Sequence, residues 1–322
     1  MKSKNIIKEK NLKTIINIIK DKKIATKAQL SKLSELSVVT VNSLIKTLID
    51  QNIISEDEII QPELGRPALS YRFNELSKLI LIISMCEENN KDTVFYSIHN
   101  LYGEELESIK EQPKKITAEY FERQISGILQ KYSAIKCIGF SIPGVEYNGK
   151  FIICDYPDLD RDFPSSIKEK MDVDVFFEND INMAILGYCT SHNITDGIGI
   201  YMPSKYPPGS GICVNGKIQK GKNGLVGEIQ YLPPYIDWNT FNFSNENVEE
   251  FLIKTIKIFM CLYNPQSIVI YSEFENLNLK ENLYEILKSE NEKIMVPEII
   301  KGQNLNRDIK NGIVNLALSK IM

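Results

Sequence analysis

The chain has 322 residues, 43% hydrophobic, 25% charged and 9% aromatic, with 38 Lys and Arg against 42 Asp and Glu for a formal charge of −4. Such a composition excludes a chain that is disordered, collagenous or coiled-coil throughout, and the length predicts two or three domains with a substantial core. The longest strongly apolar run, Leu79 to Cys86, is far short of the roughly 20 residues a membrane helix needs, and the first residues lead into no signal-like stretch, so a cytoplasmic protein without membrane contact is expected.

Charge is spread unevenly. Residues 1–55 carry eleven lysines, no arginine and four acids, a net of +7, which leaves −11 for the remainder. A basic head on an acidic body suits a polyanionic partner, because lysine contacts to phosphate release counterions; a merely solvated helical surface is the alternative. In chain order, Leu12, Ile15, Ile16 and Ile19 form one apolar stripe and predict a helix near 5–21. Thr26 and Gln29 have capping-box spacing and predict a second helix near 27–35. Ser37 can cap a third helix, in which Val41, Leu44, Ile45 and Leu48 repeat the stripe and Thr40, Asn42, Ser43 and Lys46 point outward. Ile53-Ile54 and the alternating Leu69, Tyr71 and Phe73 predict two strands around the turn-rich segment 61–67, which carries Arg66.

These elements predict a winged helix-turn-helix over residues 1–75, with Ser37, Thr40, Asn42, Ser43, Lys46 and Arg66 as the residues expected to meet double-stranded operator DNA. Asn42 is suited to adenine, and Val38 and Val39 to thymine methyl groups in A·T-rich sites. Trihelical units also pack against other proteins; the lysine excess and Arg66 favour DNA.

From residue 76 the chain alternates strand-like and helical segments: strands at 79–84, 93–98, 136–142, 173–177, 197–203, 211–214 and 267–271, with helices at 117–132, 180–190, 245–263, 280–290 and 306–321. This alternation predicts an α/β domain, and no internal repeat stands out. The six cysteines, at 86, 137, 154, 189, 213 and 261, show no C-x-x-C spacing and read as buried reduced thiols. Two histidines, His99 and His192, leave little material for a His-ligated metal or a Ser-His-Asp hydrolase.

Three segments carry possible chemistry: Gly139 to Gly144, Val175 to Asn182, and Gly209-Ser210-Gly211 through Asn215-Gly216-Lys217 to Gly224-Leu225-Val226-Gly227-Glu228-Ile229. In the second, an apolar strand ends in Glu178-Asn179-Asp180 at a helix start. Polar groups at a strand's carboxyl end are well placed for a ligand such as a sugar, although Asn179 could be a plain helix cap.

The order of a winged helix-turn-helix, a Pro-Gly turn, Glu-Asn-Asp-x-Asn, Asn-Gly-Lys and Gly-x-x-Gly-Glu-Ile resembles the repressor branch of the ROK family (repressor, open reading frame, kinase) along nearly the whole chain. The resemblance implies a two-lobed actin-like (ribonuclease H-like) body over 76–322, with lobe one about 76–180 plus the C-terminal helix 306–322 and lobe two about 181–305. It also implies a sugar cleft and a homodimer. Asn179 and Asp180 correspond to the family's sugar-gripping pair, Asp180 to the general base of kinase members, and Glu228 to a further sugar-contacting carboxylate. Tyr231 stands where the family has a histidine that meets zinc and sugar, and the cysteine-rich zinc loop is missing, so no zinc is expected. The Pro-Asn-Leu turn reads Pro157-Asp158-Leu159, which turns a donor into an acceptor.

Phosphoryl transfer needs glycines whose amides crowd the phosphates, and carboxylates for magnesium. Where kinases of this superfamily show Asp-x-Gly-x-Thr, this chain has Ile83 to Glu88 without glycine. The second phosphate loop reads Pro203-Ser204-Lys205-Tyr206-Pro207-Pro208, in which proline removes amide donors, and Tyr271 to Phe274 replace the glycines beside the adenosine. The expectation is a cofactor-free, non-catalytic DNA-binding regulator, more often a repressor than an activator, that senses a sugar or sugar derivative. The alternatives are a regulator that has lost its small ligand and answers to a protein partner, and a divergent sugar kinase.

Overall fold

The lysine-rich N-terminal segment folds as three helices and a small sheet in a computed structural model of the chain, which describes residues 2–61, 67–233, 235–287, 293 and 295–322. Helix α1 (Lys2–Lys22) buries Ile15, Ile16 and Ile19. After strand β1 (Ile24–Thr26), α2 (Lys27–Ser34) starts from a reciprocal cap: Thr26 Oγ1 accepts the Gln29 amide at 3.3 Å, and Gln29 Oε1 accepts the Thr26 amide at 2.8 Å. Glu35, in the left-handed region at φ +58°, turns the chain sharply. Ser37 then accepts the Thr40 amide at 3.2 Å and opens α3 (Val38–Asp50), which buries Val41, Leu44, Ile45 and Leu48. Strands β2 (Ile54–Ile60) and β3 (Ala68–Phe73) complete an antiparallel sheet in the order β1-β3-β2.

The body contains two five-stranded sheets. The first comprises β4 (Leu79–Glu88), β5 (Lys91–His99), β6 (Glu105–Glu111), β7 (Ile135–Ile142) and β10 (Asp174–Asn179), ordered β10-β7-β4-β5-β6. Helices α4 (Ala118–Lys131) and α5 (Phe163–Lys170) belong to this half, as does a hairpin of β8 (Gly144–Tyr147) and β9 (Lys150–Cys154). Helix α6 (Asp180–His192) leads to the second sheet: β11 (Gly197–Met202), β12 (Gly209–Val214), β13 (Lys217–Ile218), β14 (Ser267–Ser272) and β15 (Glu298–Lys301), ordered β13-β12-β11-β14-β15. Helices α7 (Asn245–Tyr263) and α8 (Leu279–Ile286) accompany it, and α9 (Leu305–Ile321) ends the chain.

The two sheets repeat one plan. In each, the first strand pairs antiparallel with the next and parallel with a later one, whose far side carries a further parallel strand. This duplication is invisible in the sequence, because each sheet packs its own set of side chains. Strand β6, the β8–β9 hairpin, α5 and β15 go beyond the predicted elements. Cys261 is exposed on α7 and departs from the expected burial of the thiols.

Helices α6 and α9 pack between the sheets, and their backbones nearly touch. A Cβ on Gly187 would lie 2.0 Å from the Asp308 carbonyl oxygen, and one on Gly312 would lie 1.9 Å from that of Met183. The apolar core around this crossing is continuous with that of the N-terminal helices. At the junction Phe73 meets Tyr102 edge-on with centroids 5.3 Å apart, and the Tyr102 hydroxyl donates to the Lys20 carbonyl at 3.3 Å. Lys78 donates to the Ile321 carbonyl at 2.9 Å, and Lys20 Nζ lies 3.8 Å from Met322 Sδ. No helix among the described residues is long and apolar enough to cross a membrane.

Candidate functional site

Two surfaces have the chemistry of binding sites. On the first, the apolar stripe of α3 turns inward and leaves Asn42, Ser43 and Lys46 exposed beside Val38 and Val39, which are 53% and 79% exposed. Among the described residues, the side chains of Asn42, Ser43 and Lys46 have no hydrogen-bonding or ionic partner, and the two valines stay bare. Ser37 and Thr40 stand apart from these residues, because their hydroxyls bond each other at 2.9 Å and Ser37 caps the helix. Arg66 lies outside the described residues.

The second surface is the cleft between the sheets, at the carboxyl ends of β7 and β10, where α6 begins. Asn179 is the α6 cap: its side-chain oxygen accepts the amides of Ile181 and Asn182 at 3.0 and 3.1 Å, and its side-chain amide donates to the Gly144 carbonyl at 3.2 Å. The next residue, Asp180, is half-buried and accepts the Ile181 amide at 2.8 Å. Burial pushes its carboxyl up to about 7; the Ile181 amide opposes the rise, and the charges of Asp155 and Glu228 add to it. Asp155 is itself raised, first by the surrounding protein and then by Glu228. Asp155 and Glu228 thus lie near enough to Asp180 for their charges to raise its carboxyl.

Backbone geometry explains how Glu228 arrives there. Gly227 sits at φ +100°, and a Cβ on it would lie 2.0 Å from the Ser210 carbonyl oxygen. Only glycine allows this approach, which is fixed by the Ser210 amide and hydroxyl donating to the Gly227 carbonyl, each at 2.9 Å. Glu228 then accepts from the Gln230 side chain at 2.8 Å, and the Trp238 indole N–H donates to the Gln230 carbonyl at 3.1 Å. Trp238 is wedged against Phe241 and Phe251 at centroid distances of 4.9 and 5.1 Å. Buried Glu178, just before Asn179, pairs with Lys220 from the loop after β13.

The structure thus sets Glu228 within electrostatic reach of Asp180 and engages Asn179 in the helix cap. Asp158 points to Lys115 in an exposed ion pair of 3.1 Å, and Tyr231 is 60% exposed on a short 3₁₀ turn. Asp155 escaped the sequence reading although it lies in the same Cys-Asp-Tyr-Pro-Asp run as Asp158, and the Trp238–Gln230 support had no local signal. No group of three His, Cys, Asp or Glu side chains placed to hold a metal occurs among the described residues.

Beyond Asp180, segment 83–88 is regular strand, laddered to β5 through a two-residue turn at Asn89 and Asn90, whose φ values are +52° and +59°. Cys86, Tyr156 and Tyr201 occupy the adjoining space. Burial lifts the Cys86 thiol to about 11 and the Tyr201 phenol to about 12, and raises Tyr156 as well. Glu87 accepts from Lys205 at 2.8 Å and from the Tyr206 hydroxyl at 3.1 Å, while Ser204 donates to Glu273. Acids from both halves of the body therefore border this region.

Residues 92–235 match the ROK family model. A xylose repressor of Bacillus spizizenii is 26% identical over 72% of this chain and 62% of its own length; one from Caldicellulosiruptor bescii is 23% identical over 76% and 62%. The chain thus spans less than two thirds of these curated relatives. Among solved structures, a ROK family transcriptional regulator described as a homologue of the E. coli Mlc protein matches with a TM-score of 0.64 at 18% identity, over 98% of this chain and 99% of the other. The chain thus shares the α/β fold of that regulator, and its similarity to the ROK family model is carried by residues 92–235.

Proposed function

We propose that the chain is a DNA-binding transcriptional repressor whose ROK body senses a sugar and no longer transfers phosphate. Residues 1–75 form a winged helix-turn-helix that presents Asn42, Ser43 and Lys46 to the major groove, and residues 76–322 form the sensing body, acting in the cytoplasm as a homodimer. The relatives named xylose repressor support a pentose as effector and D-xylose as the first to test. In the cleft, carboxylates of Asp155, Asp180 and Glu228 accept from sugar hydroxyls.

The observation that carries this reading is the unbroken packing from cleft to head. Asp180 begins α6, α6 lies against α9, and the last residues of α9 touch Lys20 and Lys78 beside the N-terminal helices. A sugar that prefers one arrangement of the sheets shifts α9 and with it the spacing of two recognition helices in a dimer. Weakening operator affinity 100-fold needs about 2.7 kcal/mol of such coupling, within the usual range. Strand geometry at 83–88 and the acids Glu87 and Glu273 support loss of nucleotide binding.

Trp238, the sole tryptophan, reports on the cleft through Gln230 and Glu228. D-xylose or another aldose is expected to change its fluorescence in the wild type and leave Asp180→Ala unmoved, while ATP with magnesium leaves the melting temperature unchanged. A melting temperature raised by ATP, or sugar phosphate formed at steady turnover, would overturn the proposal.

A further inference from the structure

Glu87, in β4 of the first sheet, and Lys205, in the loop between β11 and β12 of the second, are 118 residues apart, yet they meet at 2.8 Å. Both oxygens of Glu87 are engaged, one by Lys205 and the other by the Tyr206 hydroxyl at 3.1 Å, and Lys205 also reaches Asn90 Oδ1 at 3.4 Å. Each side of this contact is stiff. Glu87 and Asn90 flank or form the tight β4–β5 turn, whose two central residues are both left-handed. Lys205 and Tyr206 precede Pro207-Pro208, and the neighbouring Ser204 is tied back to Glu273 at the end of β14. A second pair, Glu178 of β10 with Lys220 in the loop after β13, repeats the polarity: the acid comes from the first sheet and the lysine from a loop of the second half.

We infer that the Glu87–Lys205–Tyr206 bridge is a strut that ties the two halves of the body together and fixes their resting arrangement. In a body that α6 and α9 join by helix packing, this contact adds a tie away from that crossing, across the region bordered by Cys86 and Tyr201. Hydrogen bonding from Lys205 holds the Glu87 carboxyl below its ordinary range, so the bridge is charged throughout the neutral region. Because both partners are exposed, it is open to screening by salt. The strut sets the resting state from which any effector must move the body, and it acts whether or not that effector is a sugar.

The test uses the full chain without ligand. Amide hydrogen exchange followed by mass spectrometry is compared in the wild type, Glu87→Gln, Lys205→Met and the charge-swapped pair Glu87→Lys with Lys205→Glu. In Glu87→Gln, exchange at residues 209–211 of β12 is expected to rise roughly fivefold or more, although the substitution lies on the first sheet. Lys205→Met is expected to do the same at 86–91, raised salt to mimic both in the wild type, and the swapped pair to restore protection. Unchanged exchange across the cleft in both single variants would overturn the inference, as would a swapped pair no better protected than the singles while its melting temperature stays that of the wild type.

Discussion

Asp180→Asn separates what the cleft carboxyl does for binding from what it does to the fold. Burial lifts this carboxyl from 3.8 to about 7, so the folded state holds the proton more tightly than the unfolded chain. Its contribution is therefore fully present below pH 3.8 and is lost as the pH rises through about 7. At about 1.4 kcal/mol for each tenfold in proton affinity, the full loss is roughly 4 kcal/mol, an upper bound for a group with some access to solvent. Asparagine keeps the shape and an oxygen for the Ile181 amide but cannot ionise. In urea unfolding, the advantage of Asp180→Asn over the wild type is expected to grow by roughly 3 kcal/mol between about pH 4.5 and pH 8, with an unchanged denaturant slope. The same variant should lose its sugar response, since a carboxyl that costs stability is retained for binding. A stability difference independent of pH would refute the assignment of Asp180 as a raised carboxyl.

Gly187→Ala or Gly312→Ala drives a methyl into the facing helix backbone, and thermal or urea unfolding should show a loss of about 3 kcal/mol or more; a loss under 1 kcal/mol would mean the crossing is looser than its contacts indicate. On a selected duplex, Asn42→Ala should relax base preference at one position, whereas Lys46→Ala should weaken binding to all sequences and flatten the salt dependence; footprints identical to wild type in both would dismiss α3 as the reading helix. Trp238→Phe removes the indole bond to Gln230 and should cost about 1 kcal/mol of stability together with several-fold sugar affinity by calorimetry; unchanged affinity would show that Glu228 needs no such support.

The N-terminal helices were legible because their signals are local. Thr26 with Gln29 and Ser37 with Thr40 are neighbours in sequence, and their caps sit where that spacing puts them. Strand β6 was not legible: Glu-Leu-Glu-Ser-Ile-Lys-Glu has no period-two apolar pattern, as befits an edge strand that wards off further pairing with charge. The hairpin at 144–154 and strand β15 are short and partly exposed, and the matching order of the two sheets is a property of backbone pairing that side chains do not repeat. In the cleft, Asp180 and Glu228 could be found because motifs frame them, while Asp155, Lys220 and the Glu87 strut depend on long-range contacts. The double use of Asn179 as helix cap and partner of Gly144 appears only in three dimensions.

The account rests on a sugar in the body changing the grip of the head on DNA, and one titration addresses it most directly. A duplex selected by the full chain from a random pool is followed by fluorescence anisotropy at about 0.15 M salt, with and without D-xylose and a panel of other aldoses. The expected result is a Kd on the order of 10⁻⁸ M that one sugar weakens by about 100-fold in the wild type and leaves unaltered in Asp180→Ala. Failure to retain any duplex even in dilute salt, or a sugar effect that survives Asp180→Ala undiminished, would contradict it.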